Sequence, residues 1–467
     1  MAKSLPSSRI VPEHTRVNEA SAILKRFYVM ERELMRALAV WMIDTPPVEL
    51  KFQLAEDMWQ ASRHADALRT RVLELRYPRR DVDKKYDPNV LALCVELSKA
   101  SSYEEFIAGV YGVVIPALIA DYDAYLARTD ALDDAPTVYM LRQIVAEKRA
   151  QGGRMDALRI AAHSDTDAEW RDYLTRWILA IGGIDGEREA LPQPSDHPCA
   201  GRAAHHIPAT VQRDTRFRPA LFHLPHENKY DTAGAAAWRR IEALDQRVAM
   251  QVWSAISHFN EIWAAEIPAS VMWELPNEVW DFYLDLARWI YDETRHSHMG
   301  YRAMQGWGWD VPALCPYGNA LYNALAPMPA KQRFALLYYY EEGLLRAGTK
   351  QIEIKILESA GDDGSTHDMD YDWADEAIHV GYGFKWLRHL LGDDNAGQAE
   401  LKRLTDEARA TMAAYVLEHH ADPNAPLAPY FARLYDVIAA QIRAIPDDGQ
   451  TFTWQPVVAD ESVLEQL

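Results

Sequence analysis

Apolar residues recur at i, i+3, i+4 and i+7 along almost the whole chain, the spacing of a buried helix face. The pattern predicts helices at roughly 17–44, 48–76, 89–99, 103–128, 136–150 and 167–182. A second set is expected at about 234–266, 277–305, 330–359, 368–391, 397–418 and 427–443. Alternating Val/Ile/Thr runs are scarce, and no Gly-x-Gly-x-x-Gly follows a strand pattern, which argues against a dinucleotide-binding sheet. The expected fold class is all-α.

The two sets are separated by residues 190–233, which carry Pro192, Pro194, Pro198, Pro208, Pro219 and Pro225, too many for a helix. This stretch reads as a linker or an arm over the surface. Its histidines, His197, His205, His206, His223 and His226, show no metal-ligand spacing and read as solvated or packing residues. The expected organisation is a helical bundle over 1–189, the linker over 190–233, and a second bundle over 234–467 with extra C-terminal helices and a polar tail.

Composition narrows the function. The chain has 467 residues, with 49 Lys plus Arg against 69 Asp plus Glu, for a net charge of −20. Such a surface repels phosphate backbones and anionic lipid, so neither nucleic acid nor membrane is an expected partner. Cys94, Cys199 and Cys315 are far apart and odd in number, which excludes a disulfide framework and fits a reducing compartment. The N-terminal stretch has no apolar core of a secretory leader, and no run of about 18 uncharged apolar residues is evident. A cytoplasmic location is the expectation.

The two helical sets resemble a weak internal repeat. Residues 55–72 align with 286–304 on Arg63-His64 and Arg295-His296, which sets Ala61 opposite Glu293. The second set holds two Glu-x-x-His pairs, Glu293/His296 and Glu376/His379. At 3.6 residues per turn, each pair presents a carboxylate and an imidazole on one helix face. Around Glu376 that face also carries Trp373, Val380 and Leu387, so it points inward. A carboxylate turned into an apolar core is costly unless something compensates it, and a metal ion is a natural compensator. A two-metal four-helix bundle uses two such helices plus one Glu from each of two others. Equal distance from the turn near Gly361 and Gly364 nominates Glu342 opposite Glu376, with Glu341 fitting almost as well. For Glu293 the candidate is Glu261, provided that the helix kinks at Pro268 and continues; Glu266 is the alternative.

The segments HFNEIWAAE, LARWIYDETRH, ILESAGDDG and DEAIHVGYGFKW resemble the ferritin-like di-iron carboxylate superfamily. In more detail they are similar to a ferritin-like family of largely unassigned function, related to tRNA-modifying di-iron hydroxylases. The resemblance covers about residues 236–392. It implies two ferritin-like four-helix bundles, the first degenerate and metal-free because Ala61 replaces a ligand, the second metal-binding. It implies the ligands Glu261, Glu293, His296, Glu342, Glu376 and His379, with Glu293 and Glu376 bridging two metals or binding one each. The implied cofactor is a pair of Fe ions, with Mn/Fe and Mn/Mn as variants.

Other residues stand beside these as candidates. His258 and His298 are candidates for orienting a ligand, or plain packing residues. Tyr338, Tyr339, Tyr340 and Tyr382 lie near the proposed metals in sequence; Tyr339 and Tyr382 are the candidates for a redox relay, against a core-packing reading. Trp253, Trp263, Trp273, Trp280 and Trp289 read as core or pocket wall. The stretch Asp362, Asp363, Asp368, Asp370 and Asp372 lacks the order of a calcium loop and reads as a solvated turn. The expected activity is an O2-dependent di-metal oxidase or oxygenase acting on a small organic substrate. It would need an external electron donor and has a homodimer as its candidate assembly. The alternatives are iron storage, peroxide detoxification, or a structural helical partner protein.

Overall fold

The computed structural model describes residues 16–158, 165–195, 198, 203–208, 210–211, 240–314, 320–420 and 428–444. Among these residues the chain is all-helical, with no strand. It divides into two compact units. Unit 1 comprises 1–206 and Glu278–Ala287, and unit 2 comprises 207–277 and 288–467. The division thus assigns the segment Glu278–Ala287, expected with the second bundle, to unit 1. Of the expected linker, 212–233 lie outside the described residues, as do Cys199, Cys315, His197, His223, His226 and the tail beyond 444.

Unit 1 contains α1 (Val17–Ile43), α2 (Val48–Glu74), α3 (Pro88–Leu97), α4 (Tyr103–Arg128), α5 (Ala135–Leu158) and α6 (Asp165–Ala180). Polar residues start them as expected for helix caps: Asp87 accepts from Asn89 N at 2.8 Å with Pro88 in the first turn, and Ser102 accepts from Glu105 N at 3.3 Å. α1 packs lengthwise on α2, and α2 and α4 both pack on α5. A single π-turn over Val110–Val114 widens α4 just before Pro116, which has no N–H to give to the preceding turn. α4 is also long and apolar enough by length and composition to cross a membrane. In unit 1 its Tyr111 and Tyr122 hydroxyls donate to Asp57 and Glu31.

The centre of unit 1 is polar. Glu31 and Lys148 are fully buried and lie 2.8 Å apart. Tyr122 donates to Glu31 at 2.8 Å, and His64 stands between Glu31 (3.7 Å) and Glu147 (2.7 Å). Ala61, one turn before His64, is fully buried. Burial alone would drive the Glu31 carboxyl upward, yet Lys148 and His64 outweigh it and hold it at about 2.

Unit 2 contains α7 (Gln246–Asn260), α8 (Ile262–Glu274), α9 (Trp280–Gly306, from Arg288 onward), α10 (Ala330–Ala347), α11 (Thr349–Ala360), α12 (Asp363–Leu391), α13 (Asn395–His420) and α14 (Ala428–Ala444). Two expected helices are broken. The first breaks not at Pro268 but at Glu261, whose ψ of −4° leaves the helical ladder; its carbonyl accepts from Ala264 N at 2.7 Å. Pro268 sits inside α8, which continues to Glu274. The expected helix 330–359 breaks at Gly348, which takes the left-handed conformation at φ 66° that favours glycine. Asp362 then caps α12 by accepting from Ser365 N at 2.9 Å.

Glu31 sets a pH-dependent test of unit 1. A carboxyl held low in the folded state contributes stability that is present above its unfolded value and lost as pH falls toward 2. At neutral pH, Lys148→Met leaves this carboxylate buried without its cation and should cost about 3–5 kcal/mol. The double variant Glu31→Gln/Lys148→Met should recover most of that loss in denaturant unfolding. Additive losses in the cycle would show that the pair is not coupled.

Candidate metal centre

Four helices of unit 2 turn ionisable side chains toward one place. α9 supplies Asp292, Glu293 and His296, and α12 supplies Asp372, Asp375, Glu376 and His379, all buried. Glu261 comes from the break between α7 and α8. Glu341, also buried, comes from α10. Four groups of these carboxylate and imidazole atoms are close enough to hold a metal: Glu293/Glu341/Glu376/His379, Glu261/Glu293/His296, His296/Asp372/Glu376 and His258/Glu261/Asp372.

Both Glu-x-x-His pairs point inward and face each other. Glu293 sets one oxygen 3.0 Å from His379 Nδ1 and the other 3.6 Å from His296 Nδ1. Glu376 does the same, at 3.4 Å from His379 Nδ1 and 3.9 Å from His296 Nδ1. Each of these two carboxylates therefore spans the pair of imidazoles. The opposite nitrogens face aspartates: His296 Nε2 lies 3.4 Å from Asp375, and His379 Nε2 lies 3.5 Å from Asp292. Each helix thus supplies the aspartate that orients the other helix's histidine. Arg288 and Arg295 bond to both aspartates. Such outer carboxylates fix the ring orientation and present the inner nitrogen to a cation.

Two glycines bring these helices together. At Gly300 an added Cβ would lie 2.1 Å from the Ala255 carbonyl oxygen and 2.5 Å from Phe259 N, so α7 and α9 nearly touch there. Ser297 Oγ donates to the Phe259 carbonyl at 2.7 Å in the same crossing. At Gly383 an added Cβ would lie 2.4 Å from the Tyr338 ring, which marks the close approach of α10 and α12. Each glycine follows a histidine of the cluster, His296 or His379, by four residues. The repeated motif is therefore Asp-Glu-x-x-His-x-x-x-Gly, at 292–300 and again at 375–383. The sequence reading found the Glu and His of this motif and passed over the Asp and Gly.

The remaining expected residues fall as follows. Glu261 reaches the cluster, with Oε2 3.5 Å from His296 Nδ1, whereas Glu266 is buried but belongs to none of the four groups. On α10 the structure brings in Glu341 rather than Glu342. Buried Phe334, Leu337, Tyr338 and Glu341 share one face, and Glu342, one position further round, is half-buried and accepts from Tyr338 at 3.1 Å. His258 is buried with Nε2 3.1 Å from Asp372, and His298 is exposed. Tyr339 lies under the Arg409 guanidinium at 4.7 Å, and Tyr382, next to Gly383 on α12, is half-buried. Trp289 stacks on His379 at 5.2 Å and donates to Glu293 at 3.0 Å. The acidic stretch is not a solvated turn throughout: Asp368 and Asp372 fall on the inward face of α12, two turns and one turn before Glu376. Lys350, absent from the sequence reading, is buried against Asp372 at 2.5 Å.

The electrostatics show a site short of positive charge. Burial, then the neighbouring Glu376 and Glu293, push the Glu341 carboxyl well above its usual range. Burial opposes a charge on His296 and His379, but the surrounding carboxylates overcome it and push both imidazoles well upward. Three buried atoms without a hydrogen-bond partner converge: Glu261 Oε2, His296 Nδ1 and Asp372 Oδ1, each oxygen 3.5 Å from the nitrogen. An oxygen/nitrogen donor set of this kind suits Fe(II), Mn(II) or Zn(II). Comparison of the chain with family models, curated proteins and solved structures gives no match.

The close approaches are testable apart from any metal. Gly300→Ala and Gly383→Ala should each destabilise unit 2 by about 2–3 kcal/mol, because neither the backbone at Ala255 nor the Tyr338 ring can step aside freely. Gly381→Ala, at an exposed helical position with open space, should instead gain up to about 1 kcal/mol. Denaturant unfolding of the three variants decides; equal effects at 381 and 383 would remove the packing role.

Proposed function

We propose that unit 2 holds a two-metal carboxylate centre and that the protein is an O2-dependent oxidoreductase for a small organic substrate. The observation that carries this reading is the paired geometry: each of two buried glutamates spans both histidines, and each histidine has an outer aspartate. Two imidazoles and four glutamates, Glu261, Glu293, Glu341 and Glu376, would hold the ions. Iron or manganese in such a site supplies electrons for the reduction of O2. An external donor would return them.

The chain's own contributions follow from the geometry. Glu293 and Glu376 fix the spacing across the centre. Asp292 and Asp375, clamped by Arg288 and Arg295, keep the imidazole Nδ1 atoms turned inward. Trp289 and Phe334, both fully buried, keep water from the His379 side. Glu341, pushed toward its protonated form, gives up its proton when a cation arrives.

Metal analysis of anaerobically loaded protein should find about two ions per chain. Glu341→Gln should abolish the absorption change on exposure to air, and Glu342→Gln should largely spare it. In the presence of a reductant, the loaded protein should consume O2. Loading without O2 consumption would leave a metal-binding protein and remove the oxidoreductase reading. Four tightly bound ions would contradict a metal-free unit 1.

A further inference from the structure

The centre is built on a repeat, yet its two halves are not alike. The motif positions on α9 and α12 are 83 residues apart throughout, and one turn before the Asp-Glu pair the same offset matches Trp289 to Asp372. Trp289 covers the His379 half with an indole that donates to Glu293. Asp372 faces the His296 half, with Oδ1 3.5 Å from His296 Nδ1. Its other oxygen, Oδ2, meets Lys350 Nζ at 2.5 Å and His258 Nε2 at 3.1 Å.

Lys350 reaches further into that half. Its Nζ lies 3.5 Å from Glu261 Oε1 and 3.8 Å from Glu376 Oε1. The ammonium therefore touches the outer oxygens of Glu261 and Asp372, while their inner oxygens, Oε2 and Oδ1, remain without a hydrogen bond beside His296. The break at Gly348 makes this possible, because it starts α11 afresh and places Lys350 in its first turn. Arg288 and Arg295 are committed to Asp292 and Asp375. In the opposite half, Glu293/Glu341/Glu376/His379, Lys350 reaches only the shared Glu376, through the Oε1 that faces His296, while Glu376 Oε2 faces His379; the described ion pairs of Glu293 and His379 include no lysine or arginine.

We propose that Lys350 is a resident counter-cation that makes the two halves unequal: the Glu293/Glu341/Glu376/His379 half takes the first ion, and the Glu261/His296/Asp372/Glu376 half takes the second much more weakly. The proposal rests on the two-metal reading above. A divalent ion entering the first half meets three carboxylates, of which only Glu376 touches the ammonium, and it does so through the oxygen turned to the other half. An ion entering the second half meets carboxylates that already share an ammonium a few ångströms away. Repulsion between like charges at that range corresponds to a gap of at least about a hundredfold in affinity, even with substantial dielectric screening. Lys350 is here a positioning and charge-setting residue, not a catalytic one. It also holds Asp372 and Glu261 in place when no metal is bound.

The test is an anaerobic titration with Co(II), whose visible absorption reports occupancy without O2 or a reductant. The wild-type protein should show one tight equivalent and a second at least about a hundredfold weaker. Lys350→Met should tighten the second step at least about tenfold toward the first, and Lys350→Arg should keep the gap. His379→Ala should remove the tight step and His296→Ala the weak one, with helix content by circular dichroism unchanged. Two equal equivalents in the wild type would overturn the proposal, as would a second step that Lys350→Met leaves unchanged or weakens. If Lys350→Met does not fold, Lys350→Gln takes its place, and the wild-type isotherm still decides. Absence of Co(II) binding to the wild type would instead overturn the two-metal reading itself.

Discussion

A carboxylate taken out of water costs several kcal/mol unless a cation or a set of donors replaces its hydration. Unit 2 gathers Glu293, Glu341, Glu376 and Asp372 in its interior, with Glu261 at their edge. Within that inner set the fixed cation is Lys350. Burial and the surrounding carboxylates push Glu341 upward, and the carboxylates push His296 and His379 upward against burial, all toward their protonated forms, which offsets part of that charge. The three converging atoms at Glu261, His296 and Asp372 show that this offset is incomplete. A helical core has no reason to collect so many like charges for its own stability, since well-packed apolar residues of the same volume serve better. The cluster is a candidate site that the fold supports at a cost.

That support comes from backbone geometry as much as from side chains. Gly300 and Gly383 let α9 and α12 press against α7 and α10 closely enough for short acidic side chains to meet the imidazoles. The break at Glu261 frees one ligand candidate from the helical ladder, and the break at Gly348 delivers Lys350. Neither break is a defect in an otherwise regular bundle. Each places a charged group where an uninterrupted helix would have carried it past the site.

Periodicity made the helices legible, because a buried face repeats at 3.6 residues whatever surrounds it. The two Glu-x-x-His pairs were legible for the same reason. The carboxylate from α10 was not fixed to one residue, since Glu341 and Glu342 differ by about 100° around the axis and equal distance from a turn cannot choose between them. The buried face through Phe334, Leu337 and Tyr338 does choose, and it selects Glu341. Asp372 was hidden in an acidic run that looked like a solvated turn; charge density alone does not say which carboxylate points inward. Lys350 was invisible because its place depends on a left-handed glycine two residues earlier. Asp292, Asp375, Gly300 and Gly383 could have been found by extending the comparison of the two pairs by one residue backward and four forward.

The two units place the same kind of group, a lysine, beside buried carboxylates with different consequences. In unit 1, Lys148 lies 2.8 Å from Glu31, Tyr122 donates to it and His64 stands 3.7 Å away, so that the carboxylate is held at about 2 and its charge is matched locally. In unit 2, Lys350 is shared among Glu261, Asp372 and Glu376 and matches one charge among several. Matching a charge one-for-one closes a site; matching it in part leaves an electrostatic demand that a divalent ion can meet. The difference lies in how many carboxylates surround each ammonium, and it divides a polar core from a candidate metal centre without reference to any bound ion.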